Sequence, residues 1–86
     1  MTLYQFNQAP HADQLQLVFL HGTFVANRWE GNEGVNLYYL DGPGTGFWVE
    51  LYYAPAENAI VRVRSFRSAE PLGEYVAGVE LPEGWA

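Results

Sequence analysis

Four stretches of β-branched and aromatic residues follow one another between residues 23 and 67, and a short connection separates each stretch from the next. The connections contain Gly, Pro and Asn, which form turns and interrupt strands. Strands joined by so few residues cannot be parallel neighbours, because a parallel crossover needs about a dozen residues or more. The sequence therefore predicts an antiparallel meander with strands over 23–30, 35–40, 47–53 and 59–67.

A helix over residues 9–21 is predicted to precede the sheet. Asn7 is a candidate helix cap, Pro10 suits the first turn, and Gly22 can provide a left-handed exit. The residues that recur at helical spacing predict an apolar stripe: Leu15, Val18, Phe19 and Gly22. This stripe is expected to cover the sheet.

A second, short helix is predicted over 69–78, with Ser68 as its cap. The element order is then α-β-β-β-β-α. A chain of 86 residues has no room for a second core, so residues 1–86 are predicted to form one α+β domain.

Charge and composition exclude several classes of function. The chain has 10 acidic residues against 4 basic ones, all arginine, and a net charge of −6. Such a surface repels nucleic-acid phosphates. Because cysteine is absent, disulfides and thiolate metal sites are excluded. The N-terminus lacks the basic and apolar regions of a secretory signal, and no apolar run is long enough to span a membrane, so we expect a cytoplasmic protein.

The register of the last three strands follows from matching apolar and charged positions across the hairpins. The predicted pairs of the last hairpin are Leu51–Val61, Val49–Val63, Tyr52–Ile60, Glu50–Arg62 and Trp48–Arg64. In the middle hairpin, Leu37 is placed opposite Val49 and Tyr39 opposite Phe47. The first strand stays open at this point, because either alternating set of its side chains could face inward.

This register places a group of aromatic and charged side chains on the sheet face away from the helices. We call this group the aromatic–arginine face; it consists of Tyr38, Trp48, Glu50, Tyr52, Arg62 and Arg64, with Arg28 nearby if the first strand has the matching register. Tyrosine, tryptophan and arginine dominate the energetics of protein interfaces. The face is therefore predicted to be an open docking surface, although ordinary cross-strand pairing on a solvated face would use the same residues.

Other candidate sites have less support. On one helix, His11 and His21 would lie about 15 Å apart by the helical rise, too far to share a metal ion. The glycine-rich segment 41–46 joins two strands, and no lysine follows it, unlike in a phosphate-binding loop. The hydroxyl residues lie in no nucleophile motif. We therefore predict no catalytic residue, no metal site and no cofactor.

The runs GTFVANR at 22–28, FWVELYY at 47–53 and IVRVRSF at 60–66 resemble a group of small uncharacterised bacterial proteins. The resemblance implies a helix, a four-stranded meander and a short closing helix in a bacterial cytoplasmic protein. It implies no activity.

Two functions from different classes remain. The first is a non-enzymatic protein-interaction module with an accessory, inhibitor or immunity-type role, acting through the aromatic–arginine face, through a sheet edge or as a homodimer. The alternative is a small-molecule binding protein that holds a planar or anionic ligand on the same face. Neither function involves nucleic acid or a membrane.

Overall fold

The predicted α+β fold with a four-stranded antiparallel meander is confirmed. The computed structural model describes residues 1–42, 46–68, 72 and 73. The helices are α1 (Leu3–Gln8) and α2 (His11–His21), and the strands are β1 (Thr23–Glu30), β2 (Glu33–Leu40), β3 (Phe47–Ala54) and β4 (Ala59–Phe66). The strands lie in the order β1-β2-β3-β4, so β1 and β4 form the edges of the sheet. The predicted second helix over 69–78 falls outside the described residues, apart from Leu72 and Gly73.

The N-terminal segment forms two helices where one was predicted. Thr2 caps α1: its side chain accepts a hydrogen bond from the backbone N–H of Gln5, and the Gln5 side chain accepts one from the Thr2 N–H in return. The prediction that Asn7 is a helix cap is wrong. Asn7 lies within α1, and its side chain accepts a hydrogen bond from the Ser65 hydroxyl of β4. Pro10 precedes the first turn of α2, where its missing N–H carries no cost.

Gly22 connects α2 to β1 in an extended conformation, with φ −79° and ψ 149°, so the predicted left-handed exit is wrong. The chain passes straight into β1 and has no need of a left-handed residue. What requires glycine here is space. A Cβ at this position would lie 2.6 Å from the Val18 carbonyl oxygen and 3.4 Å from the Tyr38 Cβ.

Replacing Gly22 with alanine is expected to destabilise the protein by about 2 kcal/mol, because the helix end must move away from the new methyl group. Gly73→Ala is the matched control, since a Cβ there meets no atom of the described residues within 4 Å. Urea unfolding of both variants measures the difference. Equal stabilities would contradict the close approach at Gly22.

The β3–β4 register differs from the predicted one by two residues. Glu50 pairs with Arg64, Tyr52 with Arg62 and Leu51 with Val63. A bulge between Tyr52 and Tyr53 makes Val61 the extra residue of β4. Since the shift is an even number, the side chains of β4 from Arg62 onward keep the predicted faces.

The predicted β2–β3 register is wrong by one residue, which exchanges the two faces of β2. Leu37 pairs with Glu50, Tyr38 with Val49 and Tyr39 with Trp48. Residues directly opposite each other point to the same face. Leu37 and Tyr39 therefore lie with Trp48 and Glu50, whereas Tyr38 lies on the side of the helices.

Both faces of the sheet bury apolar side chains. The helix face packs against α1 and α2, and the buried residues of this layer are Phe6 and Val18 from the helices and Leu40, Phe47, Val49 and Leu51 from the sheet. The opposite face, which we call the arginine face, has a second buried cluster: Ala26, Leu37, Trp48 and Leu72. A two-sided sheet of this kind explains why β3 is buried at almost every position.

Candidate functional site

Five of the six residues predicted for the aromatic–arginine face lie together on the arginine face. They are Trp48, Glu50, Tyr52, Arg62 and Arg64. Arg28 joins them, because Ala26 pairs with Leu37 and Arg28 with Val35. The sequence left open which alternating set of β1 side chains lies on each face. In the structure, Ala26 and Arg28 lie on the arginine face, and Phe24 lies on the helix face with its partner Tyr38.

Tyr38 does not belong to this group. Its ring packs between two phenylalanines on the helix face, with centroid distances of 6.4 Å to Phe19 and 5.7 Å to Phe24. The prediction failed because β2 carries large apolar residues on both alternating sets, so hydrophobic pattern alone does not discriminate the two registers.

The expectation that this face is open is wrong at its centre. Trp48 is 5% exposed, Tyr52 1% and Glu50 0%. Leu72 is one of the residues that pack here, beside Trp48. The large aromatic side chains of this face are therefore part of the interior of the molecule and offer little area for docking.

Glu50 is a fully buried carboxylate between two arginines. Its Oε2 accepts a hydrogen bond from Arg28 Nη2 at 3.2 Å, and its Oε1 accepts one from Arg64 Nη1 at 3.2 Å. The Tyr52 hydroxyl donates to Oε1 at 3.2 Å and accepts a hydrogen bond from Arg28 Nη2 at 3.3 Å. Both carboxylate oxygens therefore have charged donors, as a buried charge requires.

The arginines differ in their exposure. The side chain of Arg28 is 11% exposed and also contacts Glu30 at 3.3 Å, whereas that of Arg64 is 37% exposed. Arg62 lies over the Tyr52 ring, with 4.4 Å between its Cζ and the ring centroid. The sequence predicts that Arg62 pairs with Glu50 and Arg64 with Trp48; because the register is shifted by two residues, Arg64 pairs with Glu50 and Arg62 with Tyr52.

This arrangement is built to hold three strands together. Arg28 comes from β1, Glu50 from β3 and Arg64 from β4, so one carboxylate links three of the four strands. A carboxylate that is buried and bonded at both oxygens has no open side from which to take a proton from a substrate. We interpret Glu50 and its arginines as a structural cluster.

An exposed apolar patch that was not predicted from the sequence lies on the helix side of the sheet. We define the apolar patch as Phe19, Leu20 and Phe24, which are 59%, 67% and 56% exposed. Phe19 and Phe24 both pack edge-on against Tyr38, which links α2 to β1. Phe19 was expected in the buried stripe of the helix, but Val18 alone among the α2 residues is fully buried.

A signal for this patch is present in the sequence. Leu17, Val18, Phe19 and Leu20 are four consecutive apolar residues, and successive helical residues point about 100° apart. Such a run covers more than one side of a helix, so part of it must face solvent or a partner.

A further exposed aromatic side chain lies at the other end of β1. Trp29 is 67% exposed and lines a shallow depression of about 620 Å³ between the β1–β2 and β3–β4 turns.

Among the described residues, no group of three His, Asp or Glu side chains is placed to hold a metal ion. None of the helices in the described part of the chain is long and apolar enough to cross a membrane.

Comparison with known proteins finds no matching family model, no matching curated protein and no matching solved structure.

Proposed function

We propose that this chain is a non-enzymatic protein-interaction module that contacts its partners through the apolar patch and the adjoining edge strand β1. The observation that carries this proposal is the exposure of Phe19, Leu20 and Phe24, of which Phe19 and Phe24 both pack against Tyr38 of the sheet. Exposing apolar surface of this kind to water costs free energy, and this cost is removed when a partner covers the surface.

The position of the patch supports the same function. It adjoins β1, an edge strand that can accept a further strand or a flat surface beside it. The aromatic side chains supply large contact area at low cost in conformational entropy.

A small-molecule binding function is second in rank. It is supported by Arg62, which stacks on Tyr52 and could pair with an anionic group of a planar ligand. Trp48, which was expected to provide the stacking surface, is 5% exposed and offers little area. A ligand on this face would therefore contact mainly the arginines, and stacking on Trp48 would add little binding free energy.

A photoreactive amino acid placed at Leu20 is expected to give discrete covalent adducts when the protein is irradiated in its native cells. Val61 is the matched control position, because it is 45% exposed on β4, the edge strand opposite β1. Gel electrophoresis and mass spectrometry identify the adducts. Adducts that are absent at both positions, or equal at both, would overturn the proposal.

A further inference from the structure

We infer that a second copy of this chain is one partner, and that the two copies join through antiparallel pairing of their β1 strands. This inference rests on the proposed interaction function and identifies a partner for it. The resulting dimer would have a continuous eight-stranded sheet.

The two edges of the sheet differ in charge. β4 carries Arg62 and Arg64, and charged side chains on an edge strand oppose strand addition. β1 carries one arginine and one glutamate, Arg28 and Glu30, which pair with each other at 3.3 Å. The β1 edge is therefore neutral and better suited to accept another strand.

A two-fold axis beside Asn27 makes β1 complementary to itself. In an antiparallel pair, opposite residues point to the same face. With Asn27 opposite its own copy, Ala26 lies opposite Arg28 of the second copy. Neither Arg28 nor Glu30 then lies opposite its own copy. Two exposed asparagines at the axis can exchange amide hydrogen bonds.

The bulge in β1 brings the two exposed aromatic residues of the strand into register. Between Phe24 and Ala26 the chain uses one extra residue, so Phe24 and Trp29 lie on the same face although they are five positions apart. When Val25, the extra residue of the bulge, is left out of the count, Phe24 and Trp29 lie equally far from Asn27, and Trp29 lies opposite Phe24 of the second copy. An axis beside Arg28 would instead place two arginines opposite each other, which is unfavourable.

The surface removed from water is sufficient to support association. Phe24 is 56% exposed and Trp29 67% exposed. Together with their copies these side chains would bury about 500 Å² of aromatic surface. The paired strand backbones add to this and bring the total near the ~1,000 Å² that a specific interface requires.

Cysteine cross-linking provides a direct test, because the natural chain contains no cysteine. Asn27→Cys is expected to form a disulfide-linked dimer under mild oxidation, since the two Cβ atoms would be close neighbours across the axis. Val61→Cys is the matched control: Val61 is 45% exposed on the opposite edge strand and is expected to stay unlinked. Equal linkage at both positions would show random collision and overturn the inference.

Light scattering on variants without cysteine tests the aromatic contacts. Phe24→Glu and Trp29→Glu are each expected to raise the dimer dissociation constant at least tenfold, and Val61→Glu is expected to leave it unchanged. Circular dichroism confirms that each variant is folded. Because each chain carries a net charge of −6, added salt is expected to strengthen the dimer by screening the repulsion.

The outcomes separate the two proposals. A monomer in light scattering, with an adduct from Leu20 to a different protein, would overturn the dimer and support the interaction function. An adduct at twice the chain mass, with linkage of Asn27→Cys, would support both. Absence of adducts and of linkage would overturn both.

Discussion

The Glu50→Gln variant is expected to lose about 3 kcal/mol of unfolding free energy, because a buried ion pair that loses one charge leaves the other charge buried without full compensation. The carboxylate is 0% exposed, and the Arg28 side chain, at 11%, cannot reach water without opening the arginine face. Glutamine has nearly the same shape, so the change removes charge and leaves packing intact. The melting temperature is expected to fall by roughly 15 °C.

Glu30→Gln is the matched control for this variant. Glu30 contacts the same arginine at 3.3 Å, but its side chain is 54% exposed. Exposed ion pairs contribute less than about 1 kcal/mol. Thermal and urea unfolding of the two variants compares a buried carboxylate with an exposed one on the same partner. A loss at Glu50 no greater than the loss at Glu30 would show that the buried cluster contributes little.

Replacing Phe6 with alanine is expected to destabilise the protein by about 4 kcal/mol, since a fully buried phenylalanine leaves a large cavity when it is truncated. Phe6 is 0% exposed and packs on Phe47 with 5.5 Å between the ring centroids. A helix of six residues such as α1 is not stable in water by itself. The loss of Phe6 is therefore expected to detach α1 as well, which amide hydrogen exchange of residues 3–8 would reveal.

Tyr4→Ala supplies the comparison within the same helix. Tyr4 is 72% exposed, so its truncation is expected to change stability by less than about 0.5 kcal/mol. A similar loss for both variants would mean that α1 is held by its backbone and cap, and that the contact of Phe6 with the core is weak.

The strand bounds could be predicted because the turn residues that end each strand are local signals. Gly31 in the first turn has a φ of +58°, and Asn58 in the last has a φ of +50°, conformations that glycine and asparagine adopt most readily. The helix α1 could not be predicted in the same way. The Thr2–Gln5 capping box is a local signal for its start, but its stability comes from the burial of Phe6 against Phe47, a contact between residues far apart in the sequence.

The register could not be predicted because the sheet is buried on both sides. Leu37 on one face and Leu40 on the other are both buried, so alternation in β2 does not favour one choice. The bulge that makes Val61 an extra residue has no local signal either, yet it decides which arginine meets Glu50. The sequence therefore predicted which residues share this face more accurately than which of them pair with one another.

The bulge at Val61 also has a consequence for the size of any assembly. A bulged strand twists away from its neighbours and presents an irregular row of backbone groups. Both edge strands carry a bulge, but β4 also carries Arg62 and Arg64, and a two-fold pairing of copies through β1 leaves β4 as the edge at both ends of the joined sheet. Growth would then stop at two copies, because the bulge and the arginines of β4 disfavour the addition of a further strand.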